Sequence, residues 1–152
     1  MVAACAPGPA AVPDAGSVNF GEVATGLLTA VNQERRGGAT CGAEYFPPTG
    51  PLTLERRLVR AAELHTADMV GHGYFSHTGS DGSRVGQRVS RQGYEWRAVG
   101  ENIAWGQRSV EQVVAAWMDS PGHCRAIMSG EFRELGAARV EDHWTLVFGT
   151  PR

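Results

Sequence analysis

Lysine is absent from this chain of 152 residues; all 14 of its basic side chains are arginine. Without a lysine amine, Schiff-base formation and lysine general-base catalysis leave the list of mechanisms. Alanine, glycine and arginine are abundant, so the missing lysine reads first as a GC-rich coding bias. A surplus of charge is lacking too. The formal net charge is −2, and no basic cluster offers a face to nucleic acid. No apolar run approaches the roughly 20 residues of a membrane span. Internal repeats are missing, and cysteine is scarce at three residues. What is present is an ordinary hydrophobic content of 42%. It suits a single domain that buries about two thirds of its unfolded surface.

The cysteines divide unevenly. Cys41 and Cys124 lie inside the expected fold, whereas Cys5 lies in an Ala/Pro/Gly-rich leader. A Cys41–Cys124 bridge would close a loop of about 80 residues, for which chain entropy gives roughly 4–5 kcal/mol. Two unpaired buried thiols of an intracellular protein would read the same way. Val2-Ala3-Ala4-Cys5 resembles the end of a bacterial lipoprotein signal: an aliphatic residue, two small ones, then cysteine. Prolines and glycines follow, as in a flexible tether. No charged or apolar signal region precedes it. A lipid-modified Cys5 and a leftover cysteine of a removed signal therefore both stay open; export is expected in either case.

Periodicity predicts the elements. Residues 1–18 have no period and read as disordered, and 1–20 as a flexible leader ahead of a domain spanning 21–152. Val23 to Arg35 carries Val23, Leu27, Ala30 and Val31 at helical spacing and stops at Gly37-Gly38. Residues 42–51 read as a loop. Thr53 is placed as the N-cap of a second helix, with Leu54, Leu58, Ala61, His65 and Met69 along one face and Gly71 and Gly73 at its end. Val85 to Arg91 is a short helix. Ser109 caps another that Ser120-Pro121-Gly122 breaks, and a short helical segment follows to Met128. Residues 136–140 and 144–148 read as strands, with Glu141-Asp142 as their hairpin turn. Helices and a hairpin together indicate an α+β fold with helices packed on an antiparallel sheet.

Three segments concentrate the chemistry: Tyr74-Phe75-Ser76-His77, Gly100-Glu101-Asn102-Ile103-Ala104-Trp105, and Trp117-Met118-Asp119-Ser120-Pro121-Gly122-His123-Cys124. With Leu64-His65-Thr66-Ala67-Asp68-Met69, Asp81-Gly82, and the Gly136 strand with Trp144 and Phe148, they occur in the order and wording of one pattern. The chain resembles the CAP superfamily (cysteine-rich secretory, antigen 5 and pathogenesis-related proteins, or SCP domain), in its compact bacterial branch, over residues 27–150. The resemblance implies a three-layer α-β-α sandwich, secretion, and a cleft built around two histidines and acidic residues. Residue by residue, His77 and His123 match the two cleft histidines and Glu101 the first glutamate, with Asn102 beside it. The eukaryotic members' second glutamate falls on Ser120 here. Asp119 is one step, about 100°, round the helix and does not replace it. Cys41 and Cys124 match the bacterial branch's bridging pair.

Two neutral imidazoles and a carboxylate can fill three positions on zinc or another divalent cation and leave one for water. His77 and His123, with Glu101 as a possible third, are the metal candidates; no organic cofactor is expected. Only the resemblance brings them together, because their spacings are long. Each also has a structural reading: His77 as a cap of the Thr78-Gly79 turn, His123 at a helix N-terminus, Glu101 as a buried acceptor. His65 lies on an apolar stripe and reads as a packing residue. His72 could stand behind the cleft, and His143 at the hairpin reads as solvated. Ser76 and Ser120 lack the strained elbow that activates a hydroxyl. The four tryptophans read mainly as core, and Arg88, Arg91 and Arg97 as a solvated basic face.

Two functions of different class follow. One is an exported (periplasmic or extracellular) monomeric binding module for a lipid, sterol-like or peptide ligand, touching membrane only through Cys5, with no nucleic-acid partner. The alternative is a metal-dependent hydrolase in which Glu101, His77 and His123 are the catalytic candidates.

Overall fold

A computed structural model describes residues 20–152. The leader and Cys5 lie outside the described residues. The first helix, α1 (Glu22–Gly37), turns Ala24, Leu27, Val31 and Arg35 inward; Leu27 and Val31 are on the expected stripe, whereas Val23 and Ala30 are only partly buried and Ala24 and Arg35 take the inner face. Arg35 is buried and donates to the carbonyl oxygens of Gly50, Ile127 and Ser129 at 2.7–2.8 Å. Its guanidinium thereby satisfies loop and helix-end carbonyls that would otherwise lack donors.

The expected loop at 42–51 contains a strand. β1 (Ala39–Cys41) and β2 (Glu44–Phe46) form a small antiparallel hairpin around Gly42, whose φ of 63° suits a tight turn. The helix start is also shifted. Thr53–Leu54 forms β3, paired parallel to residues 134–135, and Glu55 caps α2 (Arg56–His72) by accepting from the backbone N–H of Arg57 and Leu58. Thr53 is therefore not the cap. Its backbone is held by a strand far along the chain, a pairing that no local pattern reveals. α2 ends as expected, with Gly73 left-handed and its N–H on the Met69 carbonyl.

α3 (Val85–Arg91) leads into β4 (Trp96–Trp105), a ten-residue strand that periodicity did not single out. α4 (Val110–Met118) and α5 (Pro121–Met128) follow, then β5 (Glu134–Val140) and β6 (His143–Pro151) as the expected hairpin. The sheet order is β3-β5-β6-β4; β4–β6 and β5–β6 are antiparallel and β3–β5 parallel.

Strand alternation divides the core into two layers. Leu135, Ala137, Trp144, Leu146 and Phe148 pack with Leu27, Val31, Val113, Val114, Trp117 and Ile127 of α1, α4 and α5. Ala138 and Val147 pack on the other side with Leu58, Ala61 and Ala62 of α2 and Val89 of α3. The result is the α-β-α sandwich, with each buried large side chain worth about 1.5–3 kcal/mol of transfer free energy. A disulfide joins Cys41 to Cys124 and so ties β1 to α5.

Candidate functional site

β4 is an outer strand of the sheet, and successive residues on it serve different layers. Glu101 reaches the α2–α3 side, where its carboxylate is 2.8 Å from His77 Nδ1 and 2.7 Å from Arg88 Nη2. Asn102 is buried and donates from Nδ2 to the His123 carbonyl at 3.1 Å, on the α5 side. One strand therefore holds both histidine-bearing segments.

The Glu101 side chain is 3% exposed, whereas that of His77 is 48% exposed. A buried carboxylate needs charge compensation. Arg88 supplies it, and also donates from Nη1 to the carbonyls of His77 and Ser83 at 3.0 and 2.7 Å. Because a carboxylate only accepts, His77 Nδ1 carries the hydrogen toward Glu101, and in the neutral ring Nε2 keeps its lone pair. His65 adds a second imidazole behind the site. Its Nε2 donates to the Ser76 carbonyl at 2.9 Å and lies 3.9 Å from Glu101 Oε1.

On the other bank, Ser120 precedes α5 and shares a 2.9 Å hydrogen bond between its Oγ and His123 Nδ1. Burial first, and the nearby His77 second, push the His123 pKa below its ordinary value. His77 and His123 line one cleft of about 430 Å³ together with Phe75, Ser76, Thr78, Arg84 and Ile103. Both oxygens of Glu101 are engaged, so it stands behind His77. Among the described residues no three His, Cys, Asp or Glu side chains are grouped to hold a metal ion. A cation there would have two imidazole nitrogens and water or ligand atoms, with Glu101 and Ser120 orienting the rings.

Residues 28–148 match the family profile described as CAP, the cysteine-rich secretory protein family. The chain belongs to this family. It is 34% identical over 100 residues to Bacillus subtilis YkwD, a match spanning 64% of the chain and 39% of that protein's length. In structure this CAP domain is similar to an extracellular SCP-domain protein from Bacillus anthracis, with a TM-score of 0.74 at 22% identity, over 84% of this chain and 40% of that one. It is similar as well to an outer surface protein of Borrelia burgdorferi, with a TM-score of 0.75 at 19% identity, over 89% and 97% of the two chains. At these identities the likeness speaks for the fold alone.

Several sequence expectations change inside the CAP domain. Arg88 is not on a solvated face; it is buried as the counter-ion of Glu101. Arg91 is exposed and pairs with Asp81 at 2.6 Å. His65 is buried as expected, yet unlike a satisfied packing residue it leaves Nδ1 without a hydrogen-bond partner among the described residues. His72 pairs with Asp68 at 3.0 Å and does not line the cleft. His143 is not merely solvated: it stacks on Trp105 at 5.1 Å, with Phe75 alongside. Trp117 and Trp144 are core, whereas Trp105 is 62% exposed. A signal for the missed pair did exist. His65 sits among apolar neighbours on α2, and Arg88 precedes buried Val89 on α3; a polar group on an inward face must find a partner.

Proposed function

We propose that this CAP domain is an exported binding module whose cleft between His77 and His123 takes a small hydrophobic or peptide ligand, with zinc or another divalent cation held by the two imidazoles. The observation that carries the reading is the paired support of the rings. Each Nδ1 is tied down, by Glu101 and by Ser120, and with Ser120 Oγ accepting from His123 both rings keep an Nε2 lone pair for a cation in the cleft they line. Orienting partners of this kind raise the basicity of a metal-binding imidazole and fix its tautomer. Phe75 and Ile103 give the same cleft apolar wall. Bound, the cation would supply a Lewis-acidic anchor for a carbonyl or carboxylate of the ligand.

Export is supported by the family, by the disulfide, which needs an oxidising compartment, and by the extracellular and outer-surface settings of the two similar structures. Among the described residues no helix is long and apolar enough to cross a membrane. The hydrolase alternative draws on one observation, the Ser120 Oγ–His123 Nδ1 contact. Against it, Glu101 has both oxygens engaged and is not free to act as a base.

Zinc titration by calorimetry tests the reading. One ion is expected per chain, with binding lost in His77→Ala and in His123→Ala while both variants keep the wild-type circular dichroism. Lipid vesicles and peptides are then assayed for capture with and without chelator. Chelator-sensitive turnover of an ester or peptide would replace the binding module with the hydrolase, and zinc binding unaffected by both substitutions would remove the metal.

A further inference from the structure

Two of the large hydrophobic side chains left exposed among the described residues stand together. Trp105, 62% exposed, ends β4, and Phe75, 44% exposed, follows α2; their rings are 6.2 Å apart. The arrangement has a simple origin. Trp105 and His143 are register partners on antiparallel β4 and β6, so their side chains leave the same face of the sheet. His143 stacks on one face of the indole at 5.1 Å, and Phe75 stands across the imidazole at 6.3 Å and 66°. With one face covered and most of the side chain exposed, the indole keeps its other face open. Trp105, Phe75 and His143 line a pocket of about 240 Å³. Phe75 is the one lining residue that it shares with the His77–His123 cleft.

The electrostatics of this pocket have one sign. Met69, Val70 and Gly73 also line it, and they belong to the last turn and cap of α2, a helix of 17 residues. That end of a helix carries partial negative charge on its unpaired carbonyls. The rings add the negative faces of their quadrupoles. Glu141 is exposed and adds a carboxylate that no group among the described residues binds. Its backbone is left-handed, with a φ of 52°, a conformation that non-glycine residues rarely adopt. The nearby cations are already committed, and no arginine lines the pocket. Arg139, beside the turn, lies over the Trp144 ring at 4.6 Å, donates to the Glu141 and Arg108 carbonyls, and pairs with Asp142 at 3.6 Å. His72 pairs with Asp68 at 3.0 Å.

We propose that this aromatic pocket binds a soluble quaternary ammonium compound of the choline type, its positive head against Trp105 and Phe75 and its charge balanced by Glu141 and the end of α2. An alkylated ammonium suits these walls better than a primary amine. It has no N–H to satisfy, and it gives up less hydration on meeting a ring. A volume of about 240 Å³ lies below the range of drug-sized ligand sites and suits a small solute. The net charge of −2, with no basic cluster, gives the chain no hold on an anionic lipid surface, so the occupant is the free compound. The cleft's two imidazoles take no part in this pocket, and binding here does not depend on a metal between them.

The test compares choline with its tert-butyl analogue, a neutral isostere in which carbon replaces the charged nitrogen. Both are titrated by NMR into the whole, nitrogen-labelled chain with chelator present, at about pH 8, well above the ordinary imidazole range. Saturable choline binding is expected at the Trp105 indole N–H resonance, tighter than that of the analogue by about tenfold. Trp105→Ala should abolish the preference. Glu141→Gln should lower choline affinity by about threefold and leave the analogue's unchanged. Both side chains are exposed, so the two variants are expected to fold. His77→Ala, which disables the metal cleft, should leave choline binding as it is. If a variant fails to fold, the probe preference and the Trp105 resonance of the wild type still decide. No saturable binding of choline overturns the inference. So do equal affinities for the two probes, a preference undiminished in either pocket variant, or a response at His123 in place of Trp105. Capture of phosphatidylcholine vesicles without binding of free choline overturns it as well.

Discussion

Glu101 is the residue on which the site turns, and its environment sets what substitution does. The carboxylate is buried between Arg88 and His77. Removing one partner of a buried pair strands the other charge, at about 3 kcal/mol or more. Glu101→Gln should therefore lose roughly 3 kcal/mol of stability in urea denaturation, and Glu101→Gln with Arg88→Met should recover a substantial part of it. Additive losses in the double variant would mean that the pair is not coupled. His65 makes a second residue-scale prediction. Burial holds its folded pKa below the ordinary value of 6.5, so below that pH the unfolded chain binds the more protons. Its contribution is full above about pH 6.5 and is lost as the pH falls. In metal-free protein, stability should rise between about pH 5 and 7, and the rise should flatten in His65→Phe. An unchanged slope in that variant would show that the ring is not held neutral. Both residues were visible in the sequence as types. Their partners were not, since an imidazole on an apolar stripe is compatible with several neighbours.

At the scale of elements, the approach of α2 to β5 is the tightest constraint. A Cβ added at Gly136 would collide with the peptide joining Leu58 and Val59, which is backbone and cannot swing away. Gly136→Ala should cost roughly 3 kcal/mol or more. Gly122, within α5, has open space where a Cβ would go. There Gly→Ala should stabilise by about 0.5 kcal/mol through the unfolded chain. Thermal denaturation of the two variants checks both, and similar effects would refute the packing argument. The elements most legible in the sequence were those with their own signals: the inward stripe of α2, the extent of α1, the Gly73 stop, the Ser109 cap and the turn at Glu141-Asp142. β3 and β4 were not. Thr53–Leu54 is a strand because residues 134–135 lie beside it. β4 packs different layers from its two faces and carries glycine and glutamate within a strand, so no simple alternation marks it.

For the molecule as a whole, the disulfide joins β1 to α5 across 83 residues of sequence. Loop closure of that length is worth about 4–5 kcal/mol. Cys124→Ser should lower stability by up to that amount and bring zinc affinity down with it, because His123 is the residue next to the bridge on α5. Cys5→Ser should change neither. Denaturation of the two variants side by side checks this; equal losses, or none in Cys124→Ser, would show that the bridge does not anchor the cleft.

Order and wording of the histidine, glutamate and tryptophan motifs determined the family, the sandwich and the pairing of Cys41 with Cys124, because motifs of that length in a fixed order are highly specific. Only the tertiary structure decided that Glu101 commits both oxygens to Arg88 and His77, that Ser120 orients His123, and that His65 is buried with one ring nitrogen unpaired among the described residues. Those facts depend on contacts between segments distant along the chain. A residue's type limits the bonds it can make, but which of them it makes is decided by what the fold brings within reach.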